Sequence, residues 1–122
     1  MKKILIIDDD TTFLKAMSAR LELLTYQVVT ALDGEEGLSK AVSEKPDLIL
    51  LDIKMPKLDG IGFLKKLRAS ENSPNIPILI TSNLSTMDKI SEGVSLGVKG
   101  YIIKSNETLD TIIKEVETIL NT

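Results

Sequence analysis

The chain of 122 residues contains no cysteine and no histidine. Without cysteine there is no disulfide framework and no thiolate chemistry. Without histidine, zinc enzymes and Ser-His mechanisms lose their usual parts. No apolar run approaches the roughly 20 residues that a membrane helix needs. The opening Met1-Lys2-Lys3-Ile4-Leu5-Ile6-Ile7 is basic and then apolar, but Asp8-Asp9-Asp10 stops it far short of a signal peptide. A net charge of −3 gives no electrostatic footprint for nucleic acid or an anionic membrane. The expectation is a soluble, cytoplasmic domain with neither a membrane nor a direct nucleic-acid partner. Carboxylates, hydroxyls and lysines must carry any chemistry. With 43% hydrophobic residues, the chain has the composition and length for one domain with one proper core.

The apolar residues fall into short blocks. Leu48-Ile49-Leu50-Leu51 is too short for a typical helix and is bounded by turn signals, so it reads as a strand buried on both faces. It ends on an ionisable residue, Asp52. Ile4-Leu5-Ile6-Ile7 is a similar strand ending in Asp8, Asp9 and Asp10. A third, Ile76 to Thr81, carries Pro77 at its start, where no ladder hydrogen bond is lost. Tyr26 to Ala31 and Lys99 to Lys104 mix in polar residues, as edge strands can.

Helical spacing fills the intervals. Phe13, Leu14, Met17, Leu21 and Leu24 follow N-cap oxygens at Asp10 to Thr12. Asp33-Gly34-Glu35-Glu36 has capping-box spacing and opens a helix carrying Leu38, Ala41 and Val42, closed by Pro46. Asp59 is expected to cap a helix with Phe63, Leu64 and Leu67 inward, followed by turn material from Asn72 to Asn75. A fourth helix is expected from Ser85 to Leu96, although Ser91, Gly93 and Ser95 disfavour it, with Gly97 as its C′ residue. Leu109, Ile112, Ile113, Val116, Ile119 and Leu120 give the clearest amphipathic helix.

Five βα units in tandem predict an α/β fold, a parallel sheet covered on both faces. Placing the polar second and fifth strands outermost gives a doubly wound sheet in the order 2-1-3-4-5, flanked by five helices. Ligands of such sheets bind at the carboxyl ends of the strands, beside the switch point. Here that point lies between the strands ending in Asp8, Asp9 and Asp52.

Every strand but the second delivers a polar residue to that rim: Asp8 and Asp9, then Asp52, then Thr81 or Ser82, then Lys104. Two carboxylates at about 5 Å repel by roughly 3 kcal/mol at an effective dielectric of about 20. A bound cation removes that repulsion. An all-oxygen site points to Mg²⁺, with Mn²⁺ as substitute. Lys104 adds positive charge, and Ser82 offers a hydroxyl to an oxygen of whatever Asp52 acquires. These parts suit phosphoryl transfer to a carboxylate nucleophile.

At these spacings, Ile6-Ile7-Asp8-Asp9-Asp10, Asp52-Ile53-Lys54-Met55-Pro56 with Asp59-Gly60, Pro77 to Ser82, and Gly100-Tyr101-Ile102-Ile103-Lys104 form a specific set. In them the chain resembles the receiver domain of a two-component response regulator, of the single-domain, chemotaxis-regulator type, over residues 1–122. The resemblance implies a flavodoxin-like receiver fold, with Asp52 as phosphoacceptor. It implies Asp8, Asp9, Asp52 and the Lys54 carbonyl as Mg²⁺ ligands, and Lys104 in contact with the phosphoryl group. Ser82, five residues after Pro77, resembles the hydroxyl switch, and Tyr101 the aromatic switch. A sensor histidine kinase or phosphotransfer protein is the implied donor. Ser82 would then move toward the phosphoryl group and Tyr101 would turn inward. The implied target is a protein reading the face of the fourth helix, fifth strand and fifth helix. A glycine- and serine-rich fourth helix suits a switch drawn from the low-stability end of the fold. Such a domain is a regulator that assists only its own phosphorylation and dephosphorylation, not an enzyme.

Two positions depart from the family pattern, which has a small residue after the hydroxyl and Pro after the lysine; here they hold Asn83 and Ser105. Rival readings are weaker. A phosphatase of the haloacid dehalogenase type needs a second Asp where Lys54 stands. A nucleotide or flavin binder needs a phosphate loop where three aspartates stand. A receiver-like interaction module that works without phosphorylation is the serious alternative.

Overall fold

Aliphatic strands have to be covered on both faces, and the molecule does this with two cores. The computed structural model describes residues 1–70, 75–83 and 87–121. Strands β1 (Lys3–Ile7), β2 (Gln27–Ala31), β3 (Leu48–Leu51), β4 (Ile78–Ser82) and β5 (Gly100–Ile103) alternate with helices α1 (Thr11–Leu23), α2 (Gly34–Glu44), α3 (Gly60–Ala69), α4 (Met87–Ser95) and α5 (Leu109–Leu120). All neighbouring strands are parallel, in the expected order β2-β1-β3-β4-β5.

Side chains alternate across a strand, so each run feeds both faces. Leu5, Ile7, Ile49, Leu51, Ile78 and Ile80 pack with Ala41 of α2 and Phe63, Leu64 and Leu67 of α3. Ile4, Ile6, Leu48, Leu50 and Leu79 pack on the opposite face with Leu14, Met17 and Leu21 of α1 and Ile112, Ile113 and Val116 of α5. β3 and β4 are buried throughout, while β2 and β5 are largely half-buried, as the outer strands of the sheet.

The helix starts follow their caps. Asp10 accepts from the N–H groups of Thr12 and Phe13 at 3.1 and 3.2 Å. Asp59 accepts from Gly62 N–H at 2.7 Å. Asp33 accepts from Glu36 N–H at 2.8 Å, and the Glu36 carboxylate takes the N–H of Leu32, one residue before the cap. At the end of α4, Gly97 has φ of +80°, its N–H donates to Val94 and that of Val98 donates to Gly93, a Schellman arrangement.

Several local expectations are corrected. The inner face of α2 is Gly34, Gly37 and Ala41, with Leu38 half-buried against the same core, while Val42 is exposed. A Cβ on Gly37 would lie 2.6 Å from Ile7 Cδ1, so the helix sits too close to β1 for larger residues. Leu24 caps α1 and is 45% exposed rather than inward. The last strand stops at Ile103, and Lys104 opens a 3₁₀ turn, Lys104–Asn106. Gly93 has a packing reason: a Cβ there would meet Ile80 Cδ1 at 2.9 Å. The expected helix start at Ser85 and most of the expected Asn72–Asn75 turn lie outside the described residues; Asn75 itself is in a turn.

Candidate functional site

Register brings the strand ends together. Ile7 pairs with both Ala31 and Leu51, Leu51 with Ile80, and Ser82 with Ile103. The residues that follow therefore emerge at one rim. The ladder continues one residue further there, with Asp8 N–H donating to Ala31 at 3.0 Å and Asp52 N–H to Ile7 at 2.9 Å.

Carboxylate oxygens of Asp8, Asp9 and Asp52 lie within 4.8 Å of one another. Asp8 and Asp52 are buried and Asp9 is exposed. Burial and then the neighbouring Asp8 charge raise the Asp52 pKa to about 6, against the opposing pull of Lys104, the Ser82 hydroxyl and the Ile53 N–H. Burial also raises the Asp8 pKa, with Lys104 and the Asp10 N–H acting against it. Hydrogen-bond donors occupy both Asp8 oxygens. Oδ1 accepts from Asp10 N–H at 3.0 Å, and Oδ2 from Lys104 Nζ at 2.7 Å. Lys104 Nζ also stands 4.4 Å from the centre of the Phe13 ring. An acidic, all-oxygen donor set of this kind fits a hard divalent cation.

Alternation along β4 decides between its two hydroxyls. Ser82 borders the cavity with Asp52, while Thr81 is buried with its hydroxyl unpartnered among the described residues. The Ser82 hydroxyl acts on both the Asp52 carboxylate and the Tyr101 phenol, favouring the charged form of each against burial. The Tyr101 ring is half-buried against the α2/α3-side core, next to Gly93.

The β3–α3 loop folds back on Asp52. Gly60 N–H donates to Ile53 at 2.7 Å, and a Cβ on Gly60 would come 2.3 Å from the Asp52 carbonyl oxygen. Lys57, at φ of +66°, is the centre of a γ-turn closed by Leu58 N–H on Pro56 at 2.8 Å. Such a left-handed residue outside glycine is local strain held beside the site.

A cavity of about 380 Å³ opens over these groups, lined by Asp9, Asp52, Lys54, Ser82, Asn83 and Lys104 among others. Of the sequence-derived candidates, Asp8, Thr81 and Tyr101 do not border it, and Asp8 is one contact behind, through Lys104. A larger hollow of about 420 Å³ beside α1, lined in part by Leu14, Lys15, Ser18 and Glu22, has no comparable cluster of acids. The two departures from pattern meet: Ser105 N–H donates to Asn83 Oδ1 at 3.0 Å, across a trans Lys104–Ser105 peptide. Sequence reading missed that bond and the Phe13–Lys104 contact, because both depend on how α1, β4 and β5 are laid side by side.

A family model described as the response regulator receiver domain matches residues 4–117. The PhoP alkaline phosphatase synthesis transcriptional regulatory protein of Bacillus subtilis is 45% identical over 104 residues, covering 84% of this chain and 42% of that protein. A CheY-like response regulator receiver domain protein from Methanospirillum hungatei superposes with a TM-score of 0.92 at 28% identity, over 99% of this chain and 94% of that one. CheY in a CheX-CheY-BeF3-Mg complex from Borrelia burgdorferi gives 0.87 at 26% identity, over 97% and 88%. The chain spans about half the length, or less, of the curated relatives it matches. Those relatives are described as transcriptional regulators, so the expected absence of a nucleic-acid partner gains no support. No helix among the described residues is long and apolar enough to cross a membrane.

Proposed function

This chain belongs to the response regulator receiver-domain family, and from that premise we propose that it is a phosphorylation-dependent signalling switch whose phosphoacceptor is Asp52. The observation that carries the reading is the meeting of Asp8, Asp9 and Asp52 within 4.8 Å, with Lys104 on the same rim. A phosphohistidine on a sensor kinase or phosphotransfer protein is the donor. An Asp52 oxygen attacks phosphorus in line, the O–P bond forms as the P–N bond breaks, and the donor imidazole leaves with the bonding pair. Asp8, Asp9, Asp52 and the Lys54 carbonyl would hold Mg²⁺, or Mn²⁺, whose bound charge neutralises the transferring oxygens.

Lys104 is 2.7 Å from Asp8 and borders the Asp52 cavity, so a small swing brings its ammonium to the new phosphoryl oxygens. Ser82, which borders the same cavity, moves its hydroxyl toward a phosphoryl oxygen, and Tyr101 turns inward into the vacated space. The face of α4, β5 and α5 reports the change to a protein target. The domain acts in the cytoplasm as a regulator, assisting only its own phosphoryl transfer and hydrolysis. Incubation with acetyl phosphate and Mg²⁺ followed by intact-mass measurement tests this. The parent gains one phosphoryl group and Asp52→Asn gains none; an unmodified parent removes the proposal.

One observation favours the interaction module that needs no phosphorylation. Asn83 and Ser105, the two departures from the family pattern, are joined by a hydrogen bond at the mouth of the Asp52 cavity. Under that reading, a partner binds the parent and Asp52→Asn equally, with or without donor.

A further inference from the structure

Ser82 and Lys104 end adjacent parallel strands and both border the cavity over Asp52. The residue after each closes a bridge between the two loops, with Ser105 N–H donating to Asn83 Oδ1 at 3.0 Å. A backbone N–H can only donate, so the bond fixes which way the carboxamide faces: its oxygen is taken, and its NH₂ has no partner among the described residues. Asn83 lines the Asp52 cavity and also the neighbouring hollow that Phe13, Lys104 and Ser105 share, so it stands at the border of both. A neutral double donor, fixed at its other end, thus stands at the mouth beside the Lys104 ammonium.

We propose that Asn83 is a further ligand of the phosphoryl group, its amide NH₂ donating to a phosphoryl oxygen on Asp52 while the Ser105 N–H holds the carboxamide in place. The inference rests on Asp52 being the phosphoacceptor. Its chemistry is that of a preorganised donor aimed at charge that arrives with the ligand. Asn83 is exposed and contributes to neither core, so its replacement leaves the fold intact.

The test measures affinity for beryllium trifluoride with Mg²⁺, a phosphoryl mimic, by titration calorimetry, alongside the ¹⁵N–¹H signals of side-chain amides. Asn83→Ala should bind about tenfold more weakly than the parent, the loss of one hydrogen bond to a charged group. Asn83→Asp keeps an acceptor for Ser105 N–H but replaces the donor with an oxygen, and should be weakened at least as much. In the parent, the Asn83 NH₂ signals should shift on binding. A bridge with no ligand role would instead leave Asn83→Ala at parental affinity and the NH₂ signals in place. Parental or tighter binding by Asn83→Ala overturns this inference alone. A parent that binds no mimic overturns it together with the phosphoacceptor reading.

Discussion

Replacing Asp52 by Asn in metal-free buffer should stabilise the fold at neutral pH, and the gain should vanish on acidification. Asp52 is 7% exposed, and burial with the Asp8 charge raises its pKa from 3.8 to about 6. The native state therefore holds this proton more tightly than the unfolded chain. The stability it contributes is complete below 3.8 and is lost as pH rises through about 6. A rise of roughly two pH units is worth about 3 kcal/mol, an upper bound on what the ionised carboxylate costs the native state at neutral pH. Asn has nearly the same shape, carries no charge and keeps an oxygen for the Ile53 N–H that Asp52 accepts at 2.9 Å. Urea unfolding from about pH 4 to about pH 8 with chelator present should find the variant about 1 to 3 kcal/mol more stable at the upper end. The two curves should converge at the lower end. Adding Mg²⁺ should narrow the gap, because an ion held by the native parent stabilises it by mass action. A difference that ignores pH, or a variant less stable at neutral pH, refutes the electrostatic reasoning.

Gly60→Ala pushes a methyl to 2.3 Å from the Asp52 carbonyl oxygen, so it should destabilise by about 2 kcal/mol or more and slow phosphorylation; wild-type urea midpoint and labelling rate would contradict this. Thr81→Val removes a buried hydroxyl that has no partner among the described residues. It should therefore be neutral or stabilising by up to about 1 kcal/mol in thermal unfolding; a clear loss would mean that the hydroxyl is satisfied. Arg68 donates to the carbonyls of Ile76 at 3.2 Å and Leu96 at 3.1 Å, tying the end of α4 to α3 and to the start of β4. Arg68→Ala should destabilise by roughly 1.5 to 3 kcal/mol and speed amide exchange in α4 ahead of α1; exchange that rises evenly in both helices would deny it that local role.

The sheet was legible because its strands are aliphatic runs that only a doubly covered position can bury, and because Gln27, Thr30 and Lys99 mark the edges. The acids were legible because each follows a buried strand, and parallel register does the rest. The reading of the α2 face failed at Val42, where close approach replaced hydrophobic bulk. Gly37 against Ile7 and Gly93 against Ile80 carry no side chain from which periodicity could be counted. Gly93, read in the sequence only as a cost to the fourth helix, also lets that helix fit β4. Partners set by tertiary register were also out of reach: Lys104 to Asp8 across 96 positions, and Ser105 to Asn83 across 22. In the sequence, Asn83 and Ser105 are two separate departures from a pattern. In the fold they are one hydrogen bond, available only because Ser105 keeps the N–H that proline lacks.

Locating the phosphoryl group at residue level is the most direct test. An acyl phosphate on aspartate is reduced by borohydride to homoserine, so treatment with acetyl phosphate and Mg²⁺, then borohydride, then peptide sequencing, marks the acceptor. Homoserine at position 52, with Asp8, Asp9 and Asp10 unchanged, is the expected result. Homoserine at one of those three, or an intact Asp52 after full exposure to the donor, would contradict the assignment of this rim as a phosphoacceptor site built on β3.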